Sequence, residues 1–323
     1  MTRMTALPAL VLACIAGSSP ASAQTYPDKS IKLVVPFGPG GPTDVAARVA
    51  SQILQAALGQ SVVIENRPGA GGGTGSKAAA AAEPDGYTLL LGTAATLGVV
   101  PVLSRNAGFD PVKSFAAIGK LTDSTTVLIT PIGFAPDTLA EFIAHAKASP
   151  GKLNYASAGV GNLTQLNAEL FKAKAGIDVV HVPFKSGSEM VTAILSENVQ
   201  MAFPDISILL PLIQDKKIKA LAVTSATRHP ALPDVPTMVE SRLADFVTPF
   251  WTGVLAPAAT PPAIVARLNA ALNEGLRSQA VRDSLAKVGA EPAPMSPREF
   301  AAFIAAEAAK WSAVVKLAGI NPE

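Results

Sequence analysis

The sequence predicts an α/β protein of two domains. Short β-branched runs alternate with segments of 3.6-residue apolar periodicity, the order that lays down strands and crossover helices. The chain has 323 residues, about twice the usual size of one domain. With 49% apolar and 15% charged residues and a formal net charge of +2, it can build a core and lacks the charge excess that keeps disordered chains expanded. The balance of 26 basic against 24 acidic residues also argues against a nucleic-acid surface, which needs a basic excess or stripe to neutralise phosphates.

The first 23 residues read as an export signal. Arg3 gives a positive start, Ala6 to Ala16 is apolar, and Ala21-Ser22-Ala23 before Gln24 is a small-residue cleavage pattern. The apolar run is too short to span hydrocarbon, because Ser18, Ser19 and Pro20 interrupt it, and no later stretch is long enough. Removing 23 residues from 323 leaves 300 without a cysteine, since Cys14 is the only one. The mature chain then has no disulfide or thiol metal ligand and relies on its core. Val11-Leu12-Ala13-Cys14 also forms a weak lipid-attachment pattern with Cys14 as anchor, which the leucine immediately before Ala-Cys suits poorly.

Nine strands are expected in the mature chain: Ile31 to Pro36, Val62 to Glu65, Tyr87 to Leu91, Val127 to Thr130, Leu153 to Ser157, Val179 to Val182, Val199 to Phe203, Ala220 to Thr224 and Gly253 to Ala256. Between them, Val45, Val49 and Ile53 line a helix closed by Gly59, and Leu163, Leu166 and Leu170 line another closed by Gly176. The alanine run 78 to 82 reads as helix interior. Thr138 with Glu141 and Ser296 with Glu299 match capping boxes, in which hydroxyl and carboxylate each satisfy a free amide at a helix start. After Pro257 the strands are expected to stop and three helices to follow, at about 262 to 277, 279 to 288 and 297 to 318.

Two strand-to-helix junctions are rich in glycine: Val35-Pro36-Phe37-Gly38-Pro39-Gly40-Gly41-Pro42-Thr43-Asp44 and Ala156-Ser157-Ala158-Gly159-Val160-Gly161-Asn162-Leu163-Thr164. Such a turn lets backbone approach a ligand closely and aims unpaired amides, with the positive end of the helix dipole, at one point. Either could instead be a tight turn with Thr43, Asp44 or Asn162 as helix cap. Two of them, in different halves of the chain, favour a carboxylate held between both sets of amides.

The nucleotide motifs fail. Gly71-Gly72-Gly73-Thr74-Gly75-Ser76-Lys77 ends Gly-Ser-Lys where a phosphate loop needs Gly-Lys-Ser/Thr. Gly38-Pro39-Gly40 and Gly159-Val160-Gly161 are followed by Thr43 and Thr164 where the dinucleotide fingerprint has its last glycine. Catalytic patterns are thin too: there is no Gly-x-Ser-x-Gly elbow, and His145, His181 and His229 lack metal spacing. His145 reads as structural. His181 ends a strand before Pro183-Phe184-Lys185 and is either structural or near a cleft.

Larger motifs in a fixed order carry a resemblance. Tyr26-Pro27, the first glycine junction, Glu65-Asn66-Arg67-Pro68-Gly69-Ala70-Gly71-Gly72 and Pro84-Asp85-Gly86-Tyr87-Thr88-Leu89 are followed by Ala168-Glu169-Leu170-Phe171, Val182-Pro183-Phe184-Lys185, Ala220-Leu221-Ala222-Val223-Thr224-Ser225 and Leu232-Pro233-Asp234-Val235-Pro236-Thr237. Over nearly the whole mature chain this resembles the periplasmic receptors of tripartite tricarboxylate transporters, often called Bug proteins. The resemblance implies a two-lobed periplasmic binding protein of the type II, Venus-flytrap kind, with a ligand cleft between the lobes. It implies a carboxylate ligand, delivery to membrane subunits of a secondary transporter, a monomer, no cofactor and no catalysis. It puts Phe37, Gly40, Gly41, Thr43 and Asp44 on one wall, and Ser157, Ala158, Gly159, Gly161, Asn162 and Thr164 on the other, with Thr93 as a further ligand-binding candidate.

Within that frame Asp44 reads as a helix cap rather than an anion contact, since two carboxylates repel. Asp205 matches an acidic position near the cleft, and Phe37 and Phe184 are candidate stacking surfaces for the distal end of the ligand. The sequence departs from many relatives in having Gln165 in place of histidine and Glu189 near Ser186-Gly187-Ser188. Glu189 is either a solvated helix-start residue or a contact for a ligand cation. The expected lobes are residues 24–125 with 253–323, and 126–252, with Val127 to Thr130 and Gly253 to Ala256 as crossing strands. Two rival readings remain at this level: a sensory receptor, which the same fold serves, and a secreted hydrolase using a cleft Ser and Asp, which would turn its ligand over.

Overall fold

The computed structural model describes residues 26–104, 107–317 and 319–320, so the expected export signal and Cys14 lie outside the described residues. In chain order the elements are β1 (Ile31–Val35), α1 (Pro42–Leu58), β2 (Val62–Asn66), α2 (Gly73–Ala80), β3 (Thr88–Thr93), α3 (Val100–Leu103), β4 (Phe115–Ser124), β5 (Val127–Pro131), α4 (Leu139–Ala148), β6 (Leu153–Ser157) and α5 (Leu163–Ala175). They continue with β7 (Val179–Pro183), α6 (Gly187–Leu195), β8 (Met201–Ala202), α7 (Leu210–Gln214), β9 (Ile218–Val223), β10 (Phe250–Pro257), α8 (Pro262–Leu276), α9 (Gln279–Ala286), β11 (Ala290–Pro292) and α10 (Pro297–Leu317). A π-helical stretch, Ala94–Val99, joins β3 to α3.

Two sheets make two lobes. The first has the order β11-β4-β10-β3-β1-β2 and the second β7-β6-β8-β5-β9. In the first, β1 runs parallel to β2 and β3, with Leu33 opposite Ile64 and Leu89, while β10 is antiparallel to β3 and β4. Strand periodicity then sorts the side chains. Ile31, Leu33, Val35, Leu89 and Leu91 pack in one layer with Val49, Ile53 and Leu272 of α1 and α8. Val34 and Leu90 turn to the opposite layer, with Phe300, Ile304 and Trp311 of α10. A fully buried side chain of this size contributes about 1.5–3 kcal/mol, which is how a chain without disulfides is held.

Helix ends follow the local signals. Gly59 and Gly176 close α1 and α5 in the left-handed conformation, with φ of 72° and 62°. Thr138 and Glu141 form the expected capping box at α4, and Ser296 and Glu299 exchange the corresponding bonds at α10.

Several expectations need correction. β4 is a ten-residue strand where none was expected, because Gly119, Lys120 and Asp123 break its apolar pattern. Pairing supplies what the pattern lacks: β4 lies between β10 and β11, and buried Lys120 binds Asp123 at 2.7 Å with its ammonium 4.1 Å over the Phe303 ring. Strands also continue past Pro257, since β11 adds a short edge that ends at Pro292. The alanine run 78 to 82 is a helix end, as α2 stops at Ala80.

Neither proposed crossing strand crosses. Among the described residues, β5 pairs only with β8 and β9, and β10 only with β3 and β4. The chain changes sheets at Thr125-Thr126 and again before Phe250. There the Thr224 hydroxyl, fully buried, lies 2.9 Å from Thr126 Oγ1 and donates to the Thr248 carbonyl at 3.2 Å, while Asn167 donates to Thr126 Oγ1 at 2.9 Å. These hydroxyls stand in for ladder bonds where the backbone leaves one sheet for the other.

Candidate functional site

The first glycine junction leaves β1 at the end of a parallel strand and enters α1, whose capping residue, Gly41, makes no side-chain capping bond. Asp44 is therefore not the cap. It is the third helical residue and it reaches back: Oδ2 accepts the Gly40 amide at 3.1 Å and Arg48 Nε at 3.0 Å, and Oδ1 accepts Asn66 Nδ2 at 3.1 Å. Asn66 Nδ2 also donates to the Phe37 carbonyl at 3.0 Å, so both ends of the turn are braced through one buried carboxylate. Burial pushes the Asp44 carboxyl up, but the Gly40, Asn66 and Arg48 bonds outweigh it and hold it below the ordinary carboxylate range. Asp44 thus takes the Gly40 amide, while Gly41 and Thr43 retain the helix-start position with no side-chain cap.

The second junction leaves β6 and enters α5. Asn162 caps the helix by accepting the Thr164 amide at 3.0 Å, and Thr164 Oγ1 accepts the Ala158 amide at 2.9 Å. Gly159 and Gly161 have φ of 122° and 74°, values that favour glycine, and a Cβ on Gly161 would also come within 2.7 Å of Leu103. Ser157, fully buried, donates to the Gly159 carbonyl at 3.2 Å and lies 2.6 Å from His181 Nε2. Gln165 accepts the Gly161 amide at 2.7 Å and faces His181 Nδ1 at 3.3 Å. The imidazole stacks on Tyr155 with centroids 4.7 Å apart, and Tyr155 donates to Glu169. Burial lowers the pKa of His181, with Glu169 acting in the opposite direction. A serine beside a histidine has the form of a nucleophile pair, but its third member is an amide, which supplies no charge to stabilise an imidazolium.

The remaining sequence candidates fall around these junctions. Thr93 is buried and caps the π-helical stretch through the Thr96 amide at 3.2 Å. Phe184, half-buried, donates its amide to the Ser157 carbonyl at 2.9 Å, and the Phe37 ring packs where a Cβ on Gly72 would stand 3.2 Å from it. Asp205 accepts the Ser207 amide and the Ser124 hydroxyl, both at 2.9 Å, and so joins the second lobe to β4; burial pushes its carboxyl above the ordinary range. Glu189 is exposed and accepts the Lys185 amide at 3.0 Å at the start of α6, which is the helix-start reading.

The two junctions border different cavities. One, of about 170 Å³, brings Gly40 and Pro42 together with Asp205 and Ser207 of the other lobe, over Thr122, Ser124 and Thr252. The other, of about 240 Å³, sets Val160 and Gly161 against Ala70, Gly71, Val100 and Leu103. Sequence reasoning missed Ser124, Thr122 and Thr252, which depend on the unforeseen β4. It also missed Asn66, whose position in a Glu-Asn-Arg run was visible but whose partners Phe37 and Asp44 lie far away in sequence. Among the described residues, no group of three or more His, Cys, Asp or Glu is placed to hold a metal ion, and no helix is long and apolar enough to cross a membrane.

Two α/β lobes joined by paired crossovers, with glycine-rich helix starts at their cleft, define a solute-binding protein. Residues 46–320 match the family described as tripartite tricarboxylate transporter family receptor, and the chain belongs to that family. It is 37% identical over 320 residues to Protein BugT of Bordetella pertussis, covering 99% of this chain and 98% of that one. Among solved structures, the periplasmic binding protein BugD superposes with a TM-score of 0.78 at 33% identity over 92% of this chain and all of its own. R. palustris Rpa4515 with adipate gives 0.81 at 32% identity over the same shares, and MatC of Rhodopseudomonas palustris with bound malate gives 0.77 at 34%, over 90% of this chain and all of that one.

Proposed function

We propose that this chain is exported to the periplasm by a cleavable signal and works there as a monomeric receptor. It captures a small carboxylate in the cleft between lobes 24–125 with 253–323 and 126–252, and hands it unaltered, without a cofactor, to membrane subunits of a secondary transporter. One observation carries this reading: α1 begins without a side-chain cap at a cavity that both lobes line. A helix start in that condition offers amides and a positive dipole end to an anion, with no cation to slow release. Two relatives that hold adipate and malate support the ligand class.

In this reading Gly41 and Thr43 supply donors on one wall, with Gly40 and Phe37 held in place by Asp44. The turn from Ser157 through Ala158, Gly159 and Gly161 to Asn162 and Thr164 borders the neighbouring cavity from the second lobe, and it becomes the other wall of the site when the lobes close on the solute. Thr93, Phe184 and Asp205 border the distal end of the solute.

A thermal-shift screen of mono-, di- and tricarboxylates and aromatic acids against their amides tests it. Ligand at about 100 times its Kd adds roughly 2.7 kcal/mol and raises Tm by several degrees. A rise with an acid and none with its amide supports the reading. A response to amines or neutral solutes alone overturns it.

A further inference from the structure

The Gly161 amide can only donate, so its bond to Gln165 Oε1 at 2.7 Å decides how the Gln165 side chain is turned. Gln165 Nε2 then faces His181 Nδ1 at 3.3 Å, and that contact is a hydrogen bond only when Nδ1 carries no proton. The ring proton must sit on Nε2, where it is donated to Ser157 Oγ at 2.6 Å. Ser157, having accepted it, turns its own proton to the Gly159 carbonyl at 3.2 Å. The relay therefore starts at Gly161 and ends at Gly159, the two ends of one turn. It also leaves Nε2 unable to take a proton from Ser157, the reverse of what a nucleophile needs.

We propose that Gln165 is a positioning residue for anion binding: by keeping the proton on Nε2 of a neutral His181, it holds the 159–161 turn in the shape that faces the solute. The inference rests on the carboxylate reading above. Its chemistry gives a direction. Protonation of His181 adds a proton at Nδ1, which then meets the Gln165 NH₂; turning the amide over to bring Oε1 to that proton would take Oε1 from the Gly161 amide and aim the NH₂ at it. One tie is lost, the turn loosens, and the anion is released as pH falls. The other groups facing the imidazole are the Tyr155 ring and hydroxyl from β6 and Glu169 and Lys172 from α5. Burial and Lys172 hold the ring neutral, against Glu169.

Gln165→Glu tests the relay because it reverses the rule. A carboxylate accepts from both Gly161 and a protonated Nδ1, so in the variant cationic His181 donates to Glu and to Ser157 and both ties hold, whereas neutral His181 keeps its proton on Nδ1 and its bare Nε2 takes the Ser157 proton away from the Gly159 carbonyl, which frees that end of the turn. Calorimetry with malate and adipate from about pH 5.5 to pH 8 should show wild-type binding weakening toward acid and Gln165→Glu binding weakening toward alkali. At the alkaline end the variant should bind about tenfold more weakly than wild type, the equivalent of one or two lost neutral hydrogen bonds. The solutes' own titration is common to both proteins and cancels in the ratio of their Kd values. A ratio that stays flat with pH overturns the proposal.

Nitrogen-15 spectra of the three histidines, recorded without ligand, decide the tautomer independently. Nε2 protonated and Nδ1 bare in the wild type is required, and the opposite assignment overturns the relay. If Gln165→Glu does not fold, Gln165→Met gives the answer: mixed tautomers support a fixing role for Gln165, and an unchanged Nε2 proton overturns it. Wild-type protein that binds no acid of the full carboxylate screen defeats the carboxylate reading, while the tautomer measurement still decides the relay.

Discussion

Replacing Asp44 by asparagine changes two oxygens into one oxygen and one NH₂ while keeping the volume. The wild-type carboxylate, 2% exposed, accepts from Gly40, Arg48 and Asn66. If the new oxygen faces Gly40, the new NH₂ meets Asn66 Nδ2. Asn66 cannot turn over to relieve this without losing its bond to the Phe37 carbonyl. One donor-to-donor contact is unavoidable, and a charge-assisted bond is lost with it. The Arg48 pair adds little, since the Arg48 side chain is 60% exposed. Together these cost about 2–3 kcal/mol, which for a chain of this size lowers Tm by roughly 3–5 °C.

The acid limb gives a second reading of the same residue. The folded protein holds Asp44 below the ordinary range, so its stabilisation is complete above the unfolded pKa of about 4 and is lost as pH falls from there through the lower folded value. Wild type should therefore lose stability in that window relative to Asp44→Asn, and the two melting curves should converge. Calorimetric Tm at neutral pH and at a series of points below pH 4 checks this. A variant as stable as wild type at neutral pH, with an unchanged acid limb, would refute the account of the brace.

Further outcomes follow from the crossover, the core and the cleft. Thr224→Val removes a fully buried hydroxyl that serves Thr126 and Thr248, and urea unfolding should show a loss of about 1–3 kcal/mol with little change in m. Gly253→Ala puts a Cβ 2.2 Å from the Phe300 ring and 3.1 Å from the Gly119 carbonyl, so the core must shift, at about 1–3 kcal/mol by the same measurement. Gly161→Ala strains a residue at φ 74° and meets Leu103; it should weaken binding of the acid that the thermal-shift screen returns more than it lowers Tm, and a change in Tm alone would remove the turn from the site. Saturation with a bound acid should shrink the radius of gyration in small-angle scattering as the lobes close, and an unchanged curve counts against a closing cleft.

Much of this architecture was legible in short windows of sequence. A β-branched run such as Ile31–Val35, a glycine after a periodic helix and a capping box at Thr138 each act through bonds closed within a few residues, so composition alone announces them. The family was legible in the same way, as an ordered set of turns. The strand β4 was not, because its Lys120 and Asp123 are tolerated only through each other, the Phe303 ring and the pairing of β10 and β11. Nor were the crossovers, since Thr125, Thr126, Thr224 and Thr248 bond to one another only when two distant stretches of backbone leave their sheets side by side.

The site divides along the same line. Glycine-rich turns entering helices were readable as places where backbone could meet an anion. What Asp44 does was decided by Asn66, 22 positions away, and what Ser157 does was decided by His181, 24 positions away. Local sequence sets which groups are offered, because torsional preference and capping act over one turn of chain. Which of those groups remain free for a solute is settled only when the tertiary fold brings their hydrogen-bond partners within 3 Å or so, where a donor must find an acceptor or be left exposed to the cleft.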